Sequence, residues 1–313
     1  MNPTAAAPEI SVVAPVYNEE KVLQMFYDRT SAALKQNTGQ YEIIFVDDGS
    51  SDQTLPMLRI IAAQDTHVRV LSFSRNFGHQ TAVSAGLEYS RGQGVMVIDA
   101  DLQDPPELIT RFVEAWKEGY EVLYAVREKR KEDIFRRSAY FIFYRLLRSV
   151  ATIDIPLDSG DFCFMDRKVV DTIVGMPEKN RFIRGLRVWS GFRQKGVTYE
   201  RQERAAGPSH YTFGKLVKLA FDGITSFSTA PLRLASYLGF VIALFSFGEI
   251  AYALFAKYYL RIKLEGWTTI VVLCSFIGGI QLIILGVIGE YIGRIYVEVQ
   301  NRPLYILKEK IGL

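Results

Sequence analysis

The chain has 313 residues, a formal net charge of +3 and a mean hydropathy of +0.08, and 49% of its residues are hydrophobic. This length fits one or two domains, and the balance of 37 basic against 34 acidic residues argues against a nucleic-acid-binding protein that relies on bulk positive charge. The only two cysteines, Cys163 and Cys274, exclude a disulfide framework, a four-cysteine zinc site and an iron–sulfur cluster, and they suit a reducing compartment.

The N-terminal third alternates short apolar runs with segments of helical periodicity. Four runs rich in β-branched residues are typical of buried strands, and they lie at 10–16, 41–46, 68–73 and 95–98. Between the first three runs, residues 19–36 and 53–63 carry apolar side chains at helical spacing. This order predicts an α/β fold with a mainly parallel sheet, in which ligands bind beyond the carboxyl ends of the strands.

Acidic residues gather where three of these strands end. The segments are PVYNEE at 15–20, VDDGSSD at 46–52 and IDADLQD at 98–104. Asp99 and Asp101 lie two residues apart, so extended backbone places both carboxylates on one side, about 7 Å apart. This spacing suits Mg²⁺ or Mn²⁺, which commonly binds one or two carboxylates together with substrate phosphates. Alone, Asp-x-Asp is also typical of an ordinary turn before a helix, and no dinucleotide or P-loop glycine motif follows any strand.

Two apolar segments near the C-terminus, 234–256 and 267–288, are each long enough to cross the ~30 Å hydrocarbon core of a bilayer. The loop between them is too short for a domain, so a two-helix transmembrane hairpin is predicted. Basic residues flank its outer ends, which predicts that both termini are cytoplasmic. The one charged residue in these spans, Glu249, is expected to face protein rather than lipid. The N-terminus lacks a signal-peptide pattern.

The acidic strand ends together resemble those of family 2 glycosyltransferases with the GT-A fold. Further motifs are similar to the polyprenyl-phosphate branch of that family, in particular to bactoprenol (undecaprenyl-phosphate) glucosyltransferases, which are related to dolichyl-phosphate mannose synthases. These motifs are LSFSRNFG at 71–78, SGDF at 159–162, RFIRGL at 181–186, DGITSFS at 222–228 and GVIGEYIGRIY at 286–296. The resemblance extends from about residue 10 to residue 305 and includes the membrane hairpin.

This resemblance implies a GT-A, Rossmann-like catalytic domain at residues 1–211. A juxtamembrane amphipathic segment is expected at 212–233, two transmembrane helices within 234–292, and a cytoplasmic C-terminal segment at 293–313. The implied location is the bacterial inner membrane, crossed more than once, with a cytoplasmic catalytic domain. The resemblance also implies a homo-oligomer, with a tetramer as the indicated state, and the GxxxG spacing of Gly289 and Gly293 is compatible with close helix contact.

Individual roles are implied by the same resemblance. The implied nucleotide-sugar site comprises Pro15, Tyr17, Asn18, Glu19, Val46, Asp47, Asp48, Gly49, Ser50, Arg75 and Asn76. Asp99, Asp101 and Gln103 are implied to hold Mg²⁺ or Mn²⁺ and the donor diphosphate. Asp101 and Asp161 are the candidate catalytic residues, and Arg127, Arg136 and Arg137 are implied to approach the acceptor phosphate.

The implied reaction moves a hexose, glucose or a related sugar, from a nucleoside-diphosphate sugar to undecaprenyl or another polyprenyl phosphate, with inversion, for modification of cell-envelope glycans. A phosphate monoester is already largely dianionic at pH 7, so a strong general base is optional. Asp161 is therefore expected to orient substrate more than to accept a proton. The chain departs from glucosyltransferase-type relatives at Cys163, where they carry arginine, and at His210, where they carry lysine. A cation near Asp161 must then come from elsewhere.

Two other functions stay open at this stage. A processive polysaccharide synthase shares the GT-A core, but it usually needs more membrane helices and a Gln-x-x-Arg-Trp motif, which residues 187–189 only approximate. A non-catalytic membrane scaffold is disfavoured because the Asp-x-Asp-x-Gln motif is intact. The three histidines, His67, His79 and His210, share no ligand spacing, so each is interpreted as solvated or structural rather than as part of a zinc site. The kind of sugar and the nucleobase are not determined.

Overall fold

The structure, a computed structural model, describes residues 8–127, 159–199, 230–259 and 266–312. The chain forms two compact units. One unit contains a β-sheet with its helices and includes Arg302–Leu313, and the other contains two long helices and ends at Asn301.

An eight-stranded sheet forms the centre of the first unit. Its strands are β1 (Ile10–Val16), β2 (Tyr41–Asp47), β3 (Val68–Phe73), β4 (Gly94–Val97), β5 (Val122–Arg127), β6 (Ser159–Asp166), β7 (Gln194–Tyr199) and β8 (Leu307–Ile311). They are ordered β7-β5-β6-β4-β1-β2-β3-β8. β1 to β4 pair in parallel, as do β5 and β7, whereas β6 and β8 run antiparallel to their neighbours. The predicted α/β class is confirmed, with a sheet that is mixed at both ends.

Helices cover the sheet on both faces. They are α1 (Leu23–Asn37), α2 (Thr54–Gln64), α3 (His79–Tyr89), α4 (Ile109–Lys117), α5 (Arg167–Gly175) and α6 (Ile183–Trp189). All residues of β1, β2, β3 and β4 are buried, which explains why these strands are mainly apolar and do not alternate; the charged exceptions, Glu42 in β2 and Arg69 in β3, form an ion pair. The first helix begins at Leu23, later than predicted, because the carbonyl of Glu19 accepts hydrogen bonds from Val22 and Leu23 in a tight turn.

The pairing of β4 with β6 determines the centre of the candidate site. Gly94 pairs with Asp166 and Val97 pairs with Cys163, so continuing the same register by two residues brings Asp99 opposite Asp161. A Cβ atom at Gly94 would lie 2.1 Å from the Phe164 ring, so only glycine permits this close approach. The register therefore joins two acidic residues that are far apart in the sequence.

Two long helices form the second unit. α7 (Ala230–Tyr258) has 29 residues and α8 (Trp267–Gln300) has 34, which correspond to about 44 and 51 Å of helix at about 1.5 Å per residue. Within the part of the chain that the structure describes, one stretch is long and apolar enough to cross a membrane, Phe276–Gln300, with a mean hydropathy of 1.7. In α7 the apolar stretch is shorter, Ala235–Gly248. The structure thus identifies one candidate span where the sequence predicts two.

Beyond α8 the chain returns to the sheet. α8 ends at Gln300, twelve residues beyond the predicted end of the second span at residue 288, and the next residue, Asn301, has a left-handed backbone with a φ of 46°. Residues 302–312, named here the C-terminal strap, contain β8, which pairs antiparallel with β3. The sequence analysis treats 293–313 as a separate cytoplasmic segment, but the strap belongs to the sheet unit because β8 completes the edge of the sheet.

Candidate active site

The carboxylates at the end of β2 bind neighbouring loops together. Asp47 accepts the N–H of Ser50 on Oδ1 at 3.0 Å and the hydroxyl of Ser72, in β3, on Oδ2 at 2.8 Å. The buried Asp48 accepts the backbone N–H groups of Phe77 at 2.7 Å and Gly78 at 3.0 Å. Burial raises the pKa of Asp48, and these two hydrogen bonds act in the opposite direction. Both side chains thus give the strand ends a defined geometry.

The loop after β1 is joined to the loop after β2. Asn18, with a φ of 56°, donates its N–H to Ser50 Oγ at 3.0 Å and accepts the N–H of Ser51 on its side-chain oxygen at 2.9 Å. Asparagine tolerates this left-handed backbone better than most residues do. Beside it, Tyr17 is 48% exposed, so its ring is available to stack on a planar group such as a nucleobase.

A third loop, residues 74–78, lies against the second. Gly49 has a φ of 74°, and a Cβ atom there would lie 2.6 Å from the carbonyl carbon of Arg75. The Arg75 guanidinium lies 4.0 Å from the centroid of the Phe77 ring, a cation–π contact. The loops after β1, β2 and β3 therefore form one continuous rim that contains the predicted nucleotide-sugar residues.

The Asp-x-Asp-x-Gln motif follows β4. Asp99 Oδ1 is buried and accepts no hydrogen bond in the described part of the structure. Asp101 Oδ1 accepts the N–H of Gln103 at 3.1 Å. Between them, the buried Leu102 has a φ of 60°, a left-handed conformation that is strained for a branched residue. Such strain, kept in a buried loop, is a common feature of functional sites.

Asp161, in β6, is the centre of a network of charged and polar side chains. Its Oδ1 accepts from Nε of Arg184 at 3.0 Å, and its Oδ2 accepts from Nε2 of Gln80 at 3.2 Å. His79 Nε2 lies 3.6 Å from Asp161 Oδ2 and also 3.6 Å from Asp99 Oδ1. His79 and Gln80 begin α3, and Arg184 lies on α6, so two separate helices converge on the first residues of β6.

The environments of the two carboxylates shift their pKa values in opposite directions. Burial, together with the nearby Asp161, Asp101 and Asp104, raises the pKa of Asp99 to about 6, although His79 acts against this. Burial also acts to raise the pKa of Asp161, but Arg184 and His79 outweigh it and hold that pKa well below its usual range. For His79, burial favours the neutral form, yet the two carboxylates raise its pKa to about 9. At neutral pH His79 is therefore an imidazolium between two carboxylates.

Residues 11–174 match the protein family described as Glycosyl transferase family 2, and residues 230–295 match the one described as GtrB C-terminal hairpin. This chain belongs to glycosyltransferase family 2. It is 49% identical, over 97% of its length and 95% of the relative's, to the uncharacterized glycosyltransferase YkcC of Bacillus subtilis (strain 168).

Other relatives have names that state an activity. The SfII prophage-derived bactoprenol glucosyl transferase of Shigella flexneri is 42% identical, with 96% of this chain and 98% of that protein covered. The prophage bactoprenol glucosyl transferase homolog of Escherichia coli (strain K12) is 40% identical over the same shares of the two chains. Among solved structures, glucosyl-3-phosphoglycerate synthase of Mycobacterium tuberculosis has a TM-score of 0.49 and 19% identity, over 70% of this chain and 77% of that one. The predictions of a family 2 enzyme and of a GT-A fold are confirmed.

The charges of this glycosyltransferase's site fit a divalent cation. Among the described residues, Asp101, Asp104 and Asp161 all act electrostatically on Asp99, whereas the nearby cations are His79, between Asp99 and Asp161, and Arg184, beside Asp161. The buried Asp99 Oδ1, which accepts no hydrogen bond, is an oxygen of the kind that Mg²⁺ or Mn²⁺ prefers. No three His, Cys, Asp or Glu side chains in the described ranges form a complete metal cluster. A cation there would complete its coordination with other oxygens, such as substrate phosphates.

The structure brings most of the predicted site residues to one rim of the sheet. These are Pro15, Tyr17, Asn18, Glu19, Val46, Asp47, Asp48, Gly49, Ser50, Arg75, Asn76, Asp99, Asp101, Gln103 and Asp161. Arg127 is the last residue of β5, although its side chain is not among those described. Arg136, Arg137 and His210 lie outside the described residues.

Three residues of the network are missed by the sequence analysis. His79, interpreted from the sequence as solvated or structural, lies 3.6 Å from carboxylate oxygens of both Asp99 and Asp161, a position that the sequence did not indicate. Gln80 and Arg184 received no role, although Arg184 lies inside the RFIRGL motif that marks the family resemblance. Arg184 is also a cation close to Asp161, as expected from the cysteine at position 163, with its Nε 3.0 Å from Asp161 Oδ1.

Proposed function

We propose that this enzyme transfers glucose or a related hexose from a nucleoside-diphosphate sugar to undecaprenyl or another polyprenyl phosphate, with inversion at the anomeric carbon. The observation that carries the proposal is the near full-length relationship to bactoprenol glucosyl transferases, at 42% identity over 98% of one such protein. The hexose-phosphoprenol product would serve the modification of cell-envelope glycans.

The donor is assigned to the rim formed by the loops after β1, β2 and β3. The exposed ring of Tyr17 is placed to stack on the base, and the backbone around Ser50 and Arg75 forms the adjoining wall. Because Asp47 and Asp48 already accept hydrogen bonds from neighbouring loops, their first role is to shape this pocket. Their remaining oxygen lone pairs can accept hydrogen bonds from the ribose or base.

Asp99, Asp101 and Gln103 are assigned to Mg²⁺ or Mn²⁺. When bound, such a cation supplies Lewis-acid stabilisation of the negative charge that grows on the leaving diphosphate. The chain's own contribution is to keep these ligands in one strained loop, in which Asp101 accepts a hydrogen bond from the Gln103 N–H and Asp104 accepts one from the Tyr199 hydroxyl.

The acceptor is already an anion, which determines the role proposed for Asp161. A phosphate monoester has its second pKa near 6, so it is mainly dianionic at neutral pH and needs little help to lose a proton. Arg184 and His79 hold the pKa of Asp161 far below neutrality, so this carboxylate is a weak base. We assign Asp161 to orienting the sugar and the network around it, and Arg127, Arg136 and Arg137 to binding the acceptor phosphate.

The helical unit is proposed to anchor the enzyme in the bacterial inner membrane as a two-span hairpin, with the catalytic domain and both termini in the cytoplasm. Large apolar side chains of α7 and α8 are exposed, including Phe240, Phe247, Leu282 and Ile283. A helix that is apolar on all sides is typical of contact with lipid or with other membrane helices. Contact with other membrane helices would be provided by a homo-oligomer, for which a tetramer is the proposed state.

The test is a reconstitution of the reaction. Purified full-length protein in detergent is incubated with undecaprenyl phosphate, Mg²⁺ or Mn²⁺, and a panel of UDP- and GDP-hexoses, and the lipid product is identified by mass spectrometry. We expect a glycosyl-phosphoprenol that forms from one donor, requires the metal and disappears in Asp99→Asn. A protein that binds a nucleotide with metal but forms no glycolipid from any donor would refute the proposed acceptor.

A further inference from the structure

The C-terminal strap reaches the loop that closes the candidate donor site. In the β3–β8 pairing, Leu71 lies opposite Lys310 and Phe73 lies opposite Leu307. Beyond the paired strands, the N–H of Ser74 donates to the carbonyl of Ile306 at 2.9 Å. Main-chain contacts between the strap and β3 therefore extend to the first residue of the loop at 74–78.

Tyr305 connects this strap to two other elements. Its ring stacks on Phe73, with centroids 5.0 Å apart and an interplanar angle of 16°. Its hydroxyl donates to Glu88, on α3, at 2.6 Å. Phe73 in turn meets the ring of Phe77 edge to face at 5.6 Å. Three aromatic rings thus connect the strap to the middle of the 74–78 loop.

The opposite side of the same loop faces the candidate donor residues. The N–H groups of Phe77 and Gly78 donate to Asp48, and the backbone of Arg75 packs directly against Gly49. The next residue, His79, begins α3 and contacts Asp99 and Asp161. Five consecutive residues are therefore held between the strap on one side and the rim of the site on the other.

We propose that the C-terminal strap supports the donor site. In this proposal Tyr305 is a positioning residue, which holds the 74–78 loop in the geometry that binds the nucleotide. The inference rests on the proposed function for the identity of the ligand as a nucleoside diphosphate. The ring and hydroxyl contacts described for Tyr305 are to Phe73 and Glu88, and not to Asp48 or the Asp-x-Asp-x-Gln motif. Tyr305 therefore affects the ligand indirectly, through Phe73, Phe77 and the loop. The strap directly follows α8 in the chain.

Three variants of the full-length protein in detergent test this role. Tyr305→Ala removes the ring and the hydroxyl, whereas Tyr305→Phe retains the stack on Phe73 and loses only the hydrogen bond to Glu88. Lys310→Ala is the matched control, because Lys310 lies in the same strap, in β8, but its Nζ lies 4.7 Å from the centroid of the Tyr89 ring and not against the 74–78 loop. Hydrogen–deuterium exchange of a peptide covering 74–78, and titrations with UDP and GDP in the presence of Mn²⁺, are compared with wild type.

Tyr305→Ala is expected to speed exchange in 74–78 and to weaken nucleotide binding by about three- to tenfold, with a smaller effect in Tyr305→Phe and none in Lys310→Ala. The KM for undecaprenyl phosphate should stay unchanged, which a general loss of structure would not allow. Unchanged exchange in Tyr305→Ala would overturn the inference, and so would faster exchange with unaltered nucleotide affinity. A wild-type protein that binds neither nucleotide would count against the proposed function, while the exchange data would still report whether the strap holds the loop.

Discussion

Arg184→Gln is the substitution that most directly tests the network around Asp161. It removes the guanidinium whose Nε lies 3.0 Å from Asp161 Oδ1, while it retains an amide of similar reach. The side chains of this pair are 29% and 15% exposed, so water screens the interaction only in part. The expected consequence is an Asp161 carboxylate that is less well oriented and more easily protonated.

The size of the effect follows from the charges. Two unit charges about 4 Å apart attract by about 4 kcal/mol at an effective dielectric constant of about 20. His79 remains 3.6 Å from Asp161 in the variant and compensates part of this loss. We therefore expect a loss of about 2 to 3 kcal/mol in transition-state stabilisation, which corresponds to about a 30- to 150-fold lower kcat/KM. Arg184→Lys retains the positive charge but loses the planar guanidinium group, so its kcat/KM should lie between those of Arg184→Gln and wild type.

The assay is the formation of glycosyl-phosphoprenol at limiting acceptor. Lys195→Gln is the control, since it also removes an ion-paired cation, at 2.7 Å from Glu118, but in the edge strand β7, where both side chains of the pair are exposed. An exposed pair of that kind contributes about 0 to 1 kcal/mol, so activity should change little. If Arg184→Gln kept more than about a third of the wild-type kcat/KM, the network around Asp161 would not be needed for transfer.

Substitutions at the metal site, at a buried ion pair and at an acid-sensitive turn are expected to have distinct effects. Asp99→Asn should abolish Mn²⁺ binding measured by electron paramagnetic resonance and should lower activity at least about tenfold more than Asp161→Asn; equal losses would contradict the assigned roles. In wild type the buried Arg69 lies 2.7 Å from Glu42. Glu42→Gln removes this counter-ion and should lower the free energy of unfolding, measured with denaturant, by about 3 to 5 kcal/mol. Burial acts to raise the pKa of Asp65, but its hydrogen bonds outweigh burial and lower that pKa. The stability that Asp65 contributes is therefore complete above its unfolded pKa of about 3.9, and it is lost as the pH falls through the pKa of the folded state. The midpoint temperature of unfolding should therefore fall less between pH 7 and pH 3 in Asp65→Asn than in wild type. An equal fall in the two proteins would show that Asp65 does not contribute this pH dependence.

The sheet and the rim of the site are readable from the sequence because their signals are local. Each of the first four strands is a mainly apolar segment, buried on both faces, and a polar or acidic turn follows it. Parallel strands place their carboxyl ends at one edge, so the acidic turns had to meet there. The order of the strands therefore suffices to predict that Asp47 and Asp99 lie at the same edge of the sheet.

The missed residues depend on contacts between distant parts of the chain. Asp161 meets His79 across 82 positions of sequence, because β6 pairs antiparallel with β4 and α3 begins beside that edge. No spacing pattern near His79 could reveal this contact. The strand β8, with sequence LKEKI, is polar and only partly buried, so it reads as a charged tail. Its pairing with β3 becomes evident only when the sheet is assembled.

The electrostatics of the site explain why its two central carboxylates suit different tasks. Groups whose surroundings push their pKa values apart are commonly assigned to different roles in one reaction. Asp161, kept ionised by Arg184 and His79, is a fixed negative charge suited to orientation. The pKa of Asp99 is raised to about 6 by burial and by neighbouring carboxylates, so this group is mostly ionised at neutral pH but is a less stable anion than Asp161, and added positive charge would stabilise it. Because the donor diphosphate and the acceptor phosphate each bring about two more negative charges, His79 and Arg184 cannot neutralise the described site alone. The donor and a divalent cation should therefore bind cooperatively, so that Mn²⁺ raises the affinity for the nucleotide. If titrations with and without Mn²⁺ gave equal nucleotide affinities, a cation would not be needed to balance the charge of the donor.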